Sequence, residues 1–271
     1  MADSSIEIRP LRTLAELQAC VALQHETWGH GFTDVVPSSI LKVSQRVGGV
    51  TAGAFDADDR LLGFVYGLTG VENGRIVHWS DMLAVRPEAR NLGLGRRLKE
   101  YQRRVVRELG AVVIYWTYDP LVARNAHLNF NVFGVRVVEY VEDMYGETDS
   151  TLHRGIGTDR FIVAWPVADD DVRSQVEANH VAGVSRALLE APILNPGNTV
   201  PAGDRAAVPD AARVEVPHDI NVLQQSDPDA AARWRRTTRA AIQCAFRSGL
   251  SVRGFVVDDC TRQGYYLLAR P

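Results

Sequence analysis

At 271 residues with 46% hydrophobic content, the chain is long enough to bury a sizeable core, as one large domain or as an ordinary domain with a smaller lobe. A formal net charge of −3 gives no global electrostatic ground for a nucleic-acid partner. Cys20, Cys244 and Cys260 form no Cys-x-x-Cys pair and have no histidine at metal-like spacing beside them, which excludes a disulfide framework and predicts reduced thiols and no metal site. No basic-then-apolar leader and no apolar run of membrane-spanning length is present, so the expectation is a cytoplasmic protein without a membrane partner.

Ile6 and Ile8 alternate with polar neighbours and predict a first strand that Pro10 ends. A helix follows, opened by a Thr13/Glu16 capping box and carrying Leu14, Leu17 and Val21 on one face. Residues 28–39, rich in Gly, Pro and aromatics, read as a loop or broken helix. Residues 49–55 and 61–68 predict a hairpin across the tetrad Asp56-Ala57-Asp58-Asp59. Residues 76–85 predict the next strand. A helix comes after it with the stripe Leu94, Leu98, Val105 and Leu109, stopped by Gly110.

Residues 111–116 are nearly all apolar, as in a strand buried on both faces, so a crossover to a parallel strand is implied. A second helix over 121–133, ended by Gly134, and strands at 135–144 and 161–167 complete a first domain, residues 1–170. Residues 171–212 read as a helix and a Pro/Gly-rich linker, with Pro192, Pro196, Pro201 and Pro209 marking its second half. The last part, 213–271, predicts a small unit: a strand at 214–216, a helix at 228–248 and strands at 252–257 and 265–268. Its core is thin, so it is expected to dock on the main domain or on a second subunit, as in a homodimer.

The segment Arg90-Asn91-Leu92-Gly93-Leu94-Gly95 lies between a strand and an amphipathic helix. A helix start leaves N–H groups unpaired at the positive end of the dipole, and two glycines let a phosphate approach them. The competing reading is tight turn geometry alone. Two phosphate loops are excluded on residues: Gly95 is followed by Arg96-Arg97 instead of Lys-Ser/Thr, and the third glycine of a dinucleotide fingerprint is replaced by Leu98.

Preceded by Leu83-Ala84-Val85-Arg86-Pro87, the segment resembles the acyl-coenzyme A signature of the GNAT acetyltransferases, Gln/Arg-x-x-Gly-x-Gly/Ala after a strand ending apolar-x-Val-x-Pro. Trp116-Thr117-Tyr118-Asp119-Pro120-Leu121 is similar to a segment of an uncharacterised branch of that family. The resemblance implies an α/β (α+β) fold with a mixed central sheet of splayed strands flanked by helices, here extended by the small terminal unit. It implies acetyl-CoA or another acyl-CoA as co-substrate and direct transfer to a small-molecule or peptide amine. The implied cofactor residues are Leu83, Ala84, Val85, Arg90, Asn91, Leu92, Gly93, Leu94, Gly95, Arg96 and Asn125. Asn125 can equally be a polar residue near a helix start.

Many members place a tyrosine four residues before the helix-ending glycine, to protonate the departing thiolate; here that position is Phe130. A thiol pKa of about 8.5 needs only modest help, so its loss does not exclude catalysis. Asp81 and His78, on the strand leading to the loop, are the candidate bases, each with a structural alternative; alternation puts Asp81 on the face of Leu83. Tyr145 and Tyr140 are candidate replacement acids, although strand aromatics are usually core residues. Trp116, Tyr118 and Asp119 are candidates for the acceptor pocket, with Asp119 also suited to cap the helix after Pro120. Arg233, Arg235, Arg236 and Arg239 read as a solvated helical face or as an anion site. A catalytically silent acyl-CoA binder is the alternative function, and a nucleotide-binding regulator a third.

Overall fold

The computed structural model describes residues 6–146, 155–167, 186–199 and 209–271. Its elements are β1 (Glu7–Pro10), α1 (Leu14–Trp28), α2 (Ser38–Arg46), β2 (Val50–Phe55), β3 (Leu61–Glu72), β4 (Arg75–Val85), α3 (Leu94–Glu108), β5 (Val113–Tyr118), α4 (Ala123–His127), β6 (Arg136–Val141) and β7 (Arg160–Pro166). Then follow α5 (Arg186–Leu189), β8 (Ala211–Val216), α6 (Ile220–Ser226), α7 (Pro228–Arg247), β9 (Ser251–Val257) and β10 (Gly264–Ala269). A mixed sheet has the order β1-β2-β3-β4-β5-β7-β6, and a second sheet the order β8-β10-β9. Of the helix and linker expected over 171–212, residues 171–185 and 200–208 lie outside the described residues.

The chain divides into two compact units, one of residues 6–116 with 166–167 and one of 117–146, 155–165, 186–199 and 209–271. In the first, β1 to β4 are antiparallel neighbours and β5 runs parallel to β4. The hairpin of β3 and β4 turns on Asn73 and Gly74, both at positive φ (51° and 75°), the conformation a two-residue Asn-Gly turn requires. One core gathers Leu17, Cys20 and Leu23 of α1, Leu41 of α2, and Phe55, Phe64, Tyr66, Met82 and Ala84 of the sheet.

The Thr13/Glu16 capping box is present, with Glu16 N–H donating to Thr13 Oγ1 at 3.2 Å. The buried face of α1 differs from the expected one: Leu17, Cys20, Leu23 and Gln24 point inward, while Leu14 is exposed. Gln24 escaped a purely apolar template because it is buried as a polar strut, its side chain bonded both ways to the backbone of Val36. The last two residues of the expected loop and the residues after them form α2, whose short apolar pattern was too brief to stand out. In α3 the buried residues are Leu94, Leu98, Lys99, Gln102 and Val106; Leu109 is exposed, and two polar residues take places on the inner face. β5 is not fully buried on both faces, since its residues alternate half-buried and buried.

In the second unit, β6 and β7 are antiparallel, and β8, β10 and β9 form the small sheet. The helix expected over 121–133 is shorter and broken in character: α4 covers five residues and runs into a π-helical turn, Leu128–Phe133. Gly134 ends it in the left-handed conformation at φ 62°. Asp119 does not cap α4, whose N-cap is Val122. Its Oδ1 instead accepts the Leu121 N–H at 2.8 Å in a local turn that precedes the helix. The terminal helices α6 and α7 are capped by Asp219 and Asp227, and Pro228 occupies the first turn of α7.

Candidate functional site

In the first unit, β4 leads into a 3₁₀ turn (Pro87–Ala89) and then into α3. Asn91 and Gly93 are both left-handed, at φ 67° and 69°, and this pair of reversals sets the start of α3. Gly93 is the N-cap and supplies no side-chain cap, unlike Thr13, Asp219 and Asp227 at α1, α6 and α7. A Cβ on Gly93 would meet nothing within 4 Å, so the space over the first turn is open. Arg90, Asn91, Leu92, Gly93 and Arg96 are exposed around it, while Leu94 is buried as the anchor of the helix. Arg96 is paired with Glu100 at 2.8 Å, and Arg97 donates to the Ile6 carbonyl at 2.7 Å. The arrangement is an uncapped helix start with unobstructed N–H groups, suited to an anion.

β4 carries a bulge. Tyr66 is opposite Met82 and Gly67 opposite Ser80, which leaves Asp81 as the extra residue. The bulge reverses the alternation: Ser80 turns toward α3, where Lys99 reaches it, whereas Met82 and Ala84 join the core beneath α1 and α2. Leu83 faces α3, since a Cβ on Gly95 would lie 3.7 Å from its Cδ2. The expectation that Asp81 shares a face with Leu83 is therefore corrected. Asp81 turns to the other side, with Trp79, Tyr66 and Asp34, because one inserted residue shifts the side-chain period.

Asp81 reaches solvent, yet the protein packed around its carboxyl raises it above the usual range. The Trp79 side chain opposes this by hydrogen bonding, and the Asp34 charge adds to it. A raised proton affinity on this side of the sheet leaves Asp81 able to accept a proton near neutral pH.

His78 is fully buried on the α3 side, with Nδ1 2.9 Å from Thr69 Oγ1 and Nε2 3.0 Å from Gln102 Nε2. Burial, with a smaller contribution from Lys99, lowers its pKa to about 4. Both ring nitrogens are occupied, and the geometry gives His78 a structural task. A histidine that titrates lower in the native state than unfolded contributes stability that is complete above about pH 6.5. That stability is lost as pH falls through the window from about 6.5 to about 4, at most about 3 kcal/mol over it. Chemical denaturation from pH 7 to 4.5 should show this loss, and His78→Gln should flatten that component of the profile; an equal slope in both would sink the assignment.

Trp116, the last residue of the first unit, is 6% exposed, and Lys99 Nζ sits 3.8 Å from its ring centroid.

In the second unit, Asn125 is exposed on α4. Phe130 is buried, edge-on to Tyr266 at 6.0 Å and 77°. Tyr118 is buried too, its hydroxyl donating to Tyr266 Oη at 3.3 Å, and Tyr266 donates to the Pro120 carbonyl at 2.7 Å. Burial pushes the Tyr118 phenol far above its usual range. Tyr140 donates to Asp159 and is likewise pushed up by burial and by that carboxylate. Tyr145 is 45% exposed, its hydroxyl 2.9 Å from Thr117 Oγ1.

Asp119 is 5% exposed and carries the Arg235 guanidinium on Oδ2 at 2.5 Å. Arg239 binds both oxygens of Asp159 (2.9 and 2.5 Å) and Asp143 at 3.0 Å, and also pairs with Glu142. The basic cluster on α7 is thus divided. Arg235 and Arg239 are bound to carboxylates of their own unit, and Arg233 and Arg236 are exposed. Sequence reasoning missed this lattice because its acids lie about a hundred residues from its arginines. Among the described residues no group of three or more His, Cys, Asp and Glu is placed to hold a metal, and no helix is long and apolar enough to cross a membrane.

No family model matches the chain, and no curated protein matches its sequence. Solved structures do match in fold. The NatC complex bound to Gag peptide and CoA has a chain 15% identical, with 60% of this chain and 99% of that chain covered at a TM-score of 0.50. The ribosomal-protein-S18-alanine N-acetyltransferase from Escherichia coli is 19% identical, covering 60% and 95% at 0.47. A putative acetyltransferase of the GNAT family from Desulfovibrio desulfuricans is 16% identical, covering 60% and 100% at 0.48. Such identities speak to architecture alone: the chain has the mixed α/β fold of the GNAT N-acetyltransferases, to which a second, three-stranded sheet is added.

Proposed function

We propose that the chain is an N-acyltransferase that binds an acyl-CoA and passes the acyl group to a small-molecule or peptide amine. The observation that carries this is the uncapped, open helix start at Gly93 beside the bulged end of β4. The pyrophosphate is placed on the N–H groups of residues 93–95, and the pantetheine arm along β4 at Leu83, Ala84 and Val85. Arg90, Asn91, Leu92 and Arg96 surround the phosphates. The acceptor amine attacks the thioester carbonyl, the C–N bond forms, the C–S bond breaks, and coenzyme A leaves as the thiolate. Asp81 takes the amine proton, directly or through a water. Positioning supplies much of the acceleration.

Isothermal titration with CoA and thiol release from acyl-CoA over a panel of amines test the proposal. Gly93→Ala should lower CoA affinity by about tenfold, since the methyl enters the cradle, and should cost about 1 kcal/mol of stability at a left-handed position. An unchanged affinity in a folded Gly93→Ala protein overturns the cradle. A second reading, a silent acyl-CoA binder, is favoured by Phe130, a residue without a proton to give at the position where many members carry a tyrosine. Tight binding with no thiol release for any amine selects it.

A further inference from the structure

The parallel ladder of β4 and β5 runs from Val77↔Val113 to Trp79↔Tyr115. The next residues on the two strands, Ser80 and Trp116, are bridged by one side chain from α3. Lys99 Nζ donates to Ser80 Oγ at 2.7 Å and stands 3.8 Å from the Trp116 ring centroid. Lys99 is 6% exposed, and among the described residues it has no carboxylate within ion-pair distance. A buried ammonium without a counter-ion is costly, and an indole face and one hydroxyl compensate only in part. Burial accordingly holds the Lys99 amine well below the ordinary lysine range. One turn along the same buried face, Gln102 keeps its Oε1 without a hydrogen-bond partner. The end of the ladder thus holds a cation site lacking its anion.

We infer that Lys99 receives a terminal carboxylate on the acyl group, so that the donor is a dicarboxylic acyl-CoA of the malonyl, succinyl or glutaryl class. The inference rests on the coenzyme A reading above. With the pyrophosphate at Gly93 and the arm running along β4 from Val85 toward Ser80, a span of about 20 Å, the acyl end arrives beside Lys99. An acetyl group ends in a methyl and leaves the amine without a counter-ion. A carboxylate supplies one and uses an N–H donor that Ser80 does not. Protonation of Lys99 then accompanies binding, because the arriving anion favours the charged form.

The test is calorimetric titration of the full chain with CoA, acetyl-CoA, malonyl-CoA, succinyl-CoA and glutaryl-CoA in two buffers of different ionisation enthalpy. At least one dicarboxylic donor is expected to bind about tenfold tighter than acetyl-CoA, with proton uptake that acetyl-CoA lacks. In Lys99→Met the ratio of the two affinities should fall to about one, and Lys99→Arg should retain part of it. No preference for any dicarboxylic donor, or an undiminished preference in Lys99→Met, overturns the inference. Should Lys99→Met fail to fold, proton uptake by the unmodified chain decides, and its absence overturns the assignment. Coenzyme A that does not bind at all removes the cofactor reading too, whereas coenzyme A binding without charge preference removes only the role of Lys99.

Discussion

Replacing Arg235 by methionine is expected to lower the stability of the second unit by about 3–5 kcal/mol, measured by chemical denaturation. The guanidinium is 4% exposed and serves three groups: Asp119 Oδ2 at 2.5 Å, the Ile156 carbonyl at 2.8 Å and, at 4.0 Å, Asp159. Burial works to lower its pKa, but the charges of Asp119 and Asp159 outweigh that and hold it above the ordinary arginine value. Methionine fills much of the volume and takes the nearest described cation from a carboxylate that is itself 5% exposed, while Arg160 stays at 3.9 Å. An uncompensated buried charge costs far more than the pair contributes over an apolar replacement.

The double variant Arg235→Met, Asp119→Asn should therefore recover a substantial part of the loss, because asparagine still accepts from the Leu121 N–H without bearing charge. The sign with pH is fixed. Acid that protonates Asp119 relieves the penalty, so the gap between the single variant and the parent narrows as pH falls. A gap that stays constant, or a double variant no better than the single one, would count against a charge-based account. The same lattice explains why this part of α7 is unavailable as an anion site, since Arg235 and Arg239 already carry carboxylates.

Gly67→Ala should destabilise the first unit by about 3 kcal/mol, a drop of several degrees in Tm. A methyl there would lie 2.4 Å from His78 Nε2, 2.6 Å from the Trp79 carbonyl oxygen and 2.8 Å from Gln102 Nε2. It forces apart the His78–Gln102 hydrogen bond and presses on a backbone atom of β4 that cannot swing away. Gly70→Ala in the same strand is the control: its methyl meets nothing within 4 Å, and its effect should stay within about 0.5 kcal/mol. Equal Tm values for the two variants would show that the close approach of β3 to this polar cluster is not what Gly67 serves. Since the crowding sits opposite Ser80, beside the bulge, acyl-CoA affinity should fall in Gly67→Ala as well.

Much of the first unit was legible because its signals are local. Thr13 and Glu16 announce the start of α1 and Asn73-Gly74 dictates a two-residue turn, and in the second unit Gly134 must likewise end its helix in the left-handed conformation. The resemblance carried by residues 83–95 anticipated a mixed sheet, and the structure has one. Polar residues on buried faces were for the most part not legible, because a template that counts apolar positions passes over Gln24, Lys99 and Gln102. Their placement depends on partners brought from elsewhere, and so does the cost of burying them. The bulge at Asp81 was hidden for a related reason: it is a property of the pairing between Tyr66-Gly67 and Ser80-Met82, not of the β4 sequence alone.

The sequence by itself determined the order of the strands and of the helices other than α2 and α6, the glycine-opened start of α3 and the absence of a tyrosine at position 130, since each depends on residue type and near neighbours. The tertiary structure alone decided which way Asp81 faces, that Asp119 is held by Arg235, and that Lys99 is enclosed between Ser80 and Trp116. Each of those outcomes is set by charge and burial acting between groups remote along the chain. Such interactions take their strength from the surroundings that folding creates, and no local pattern records them.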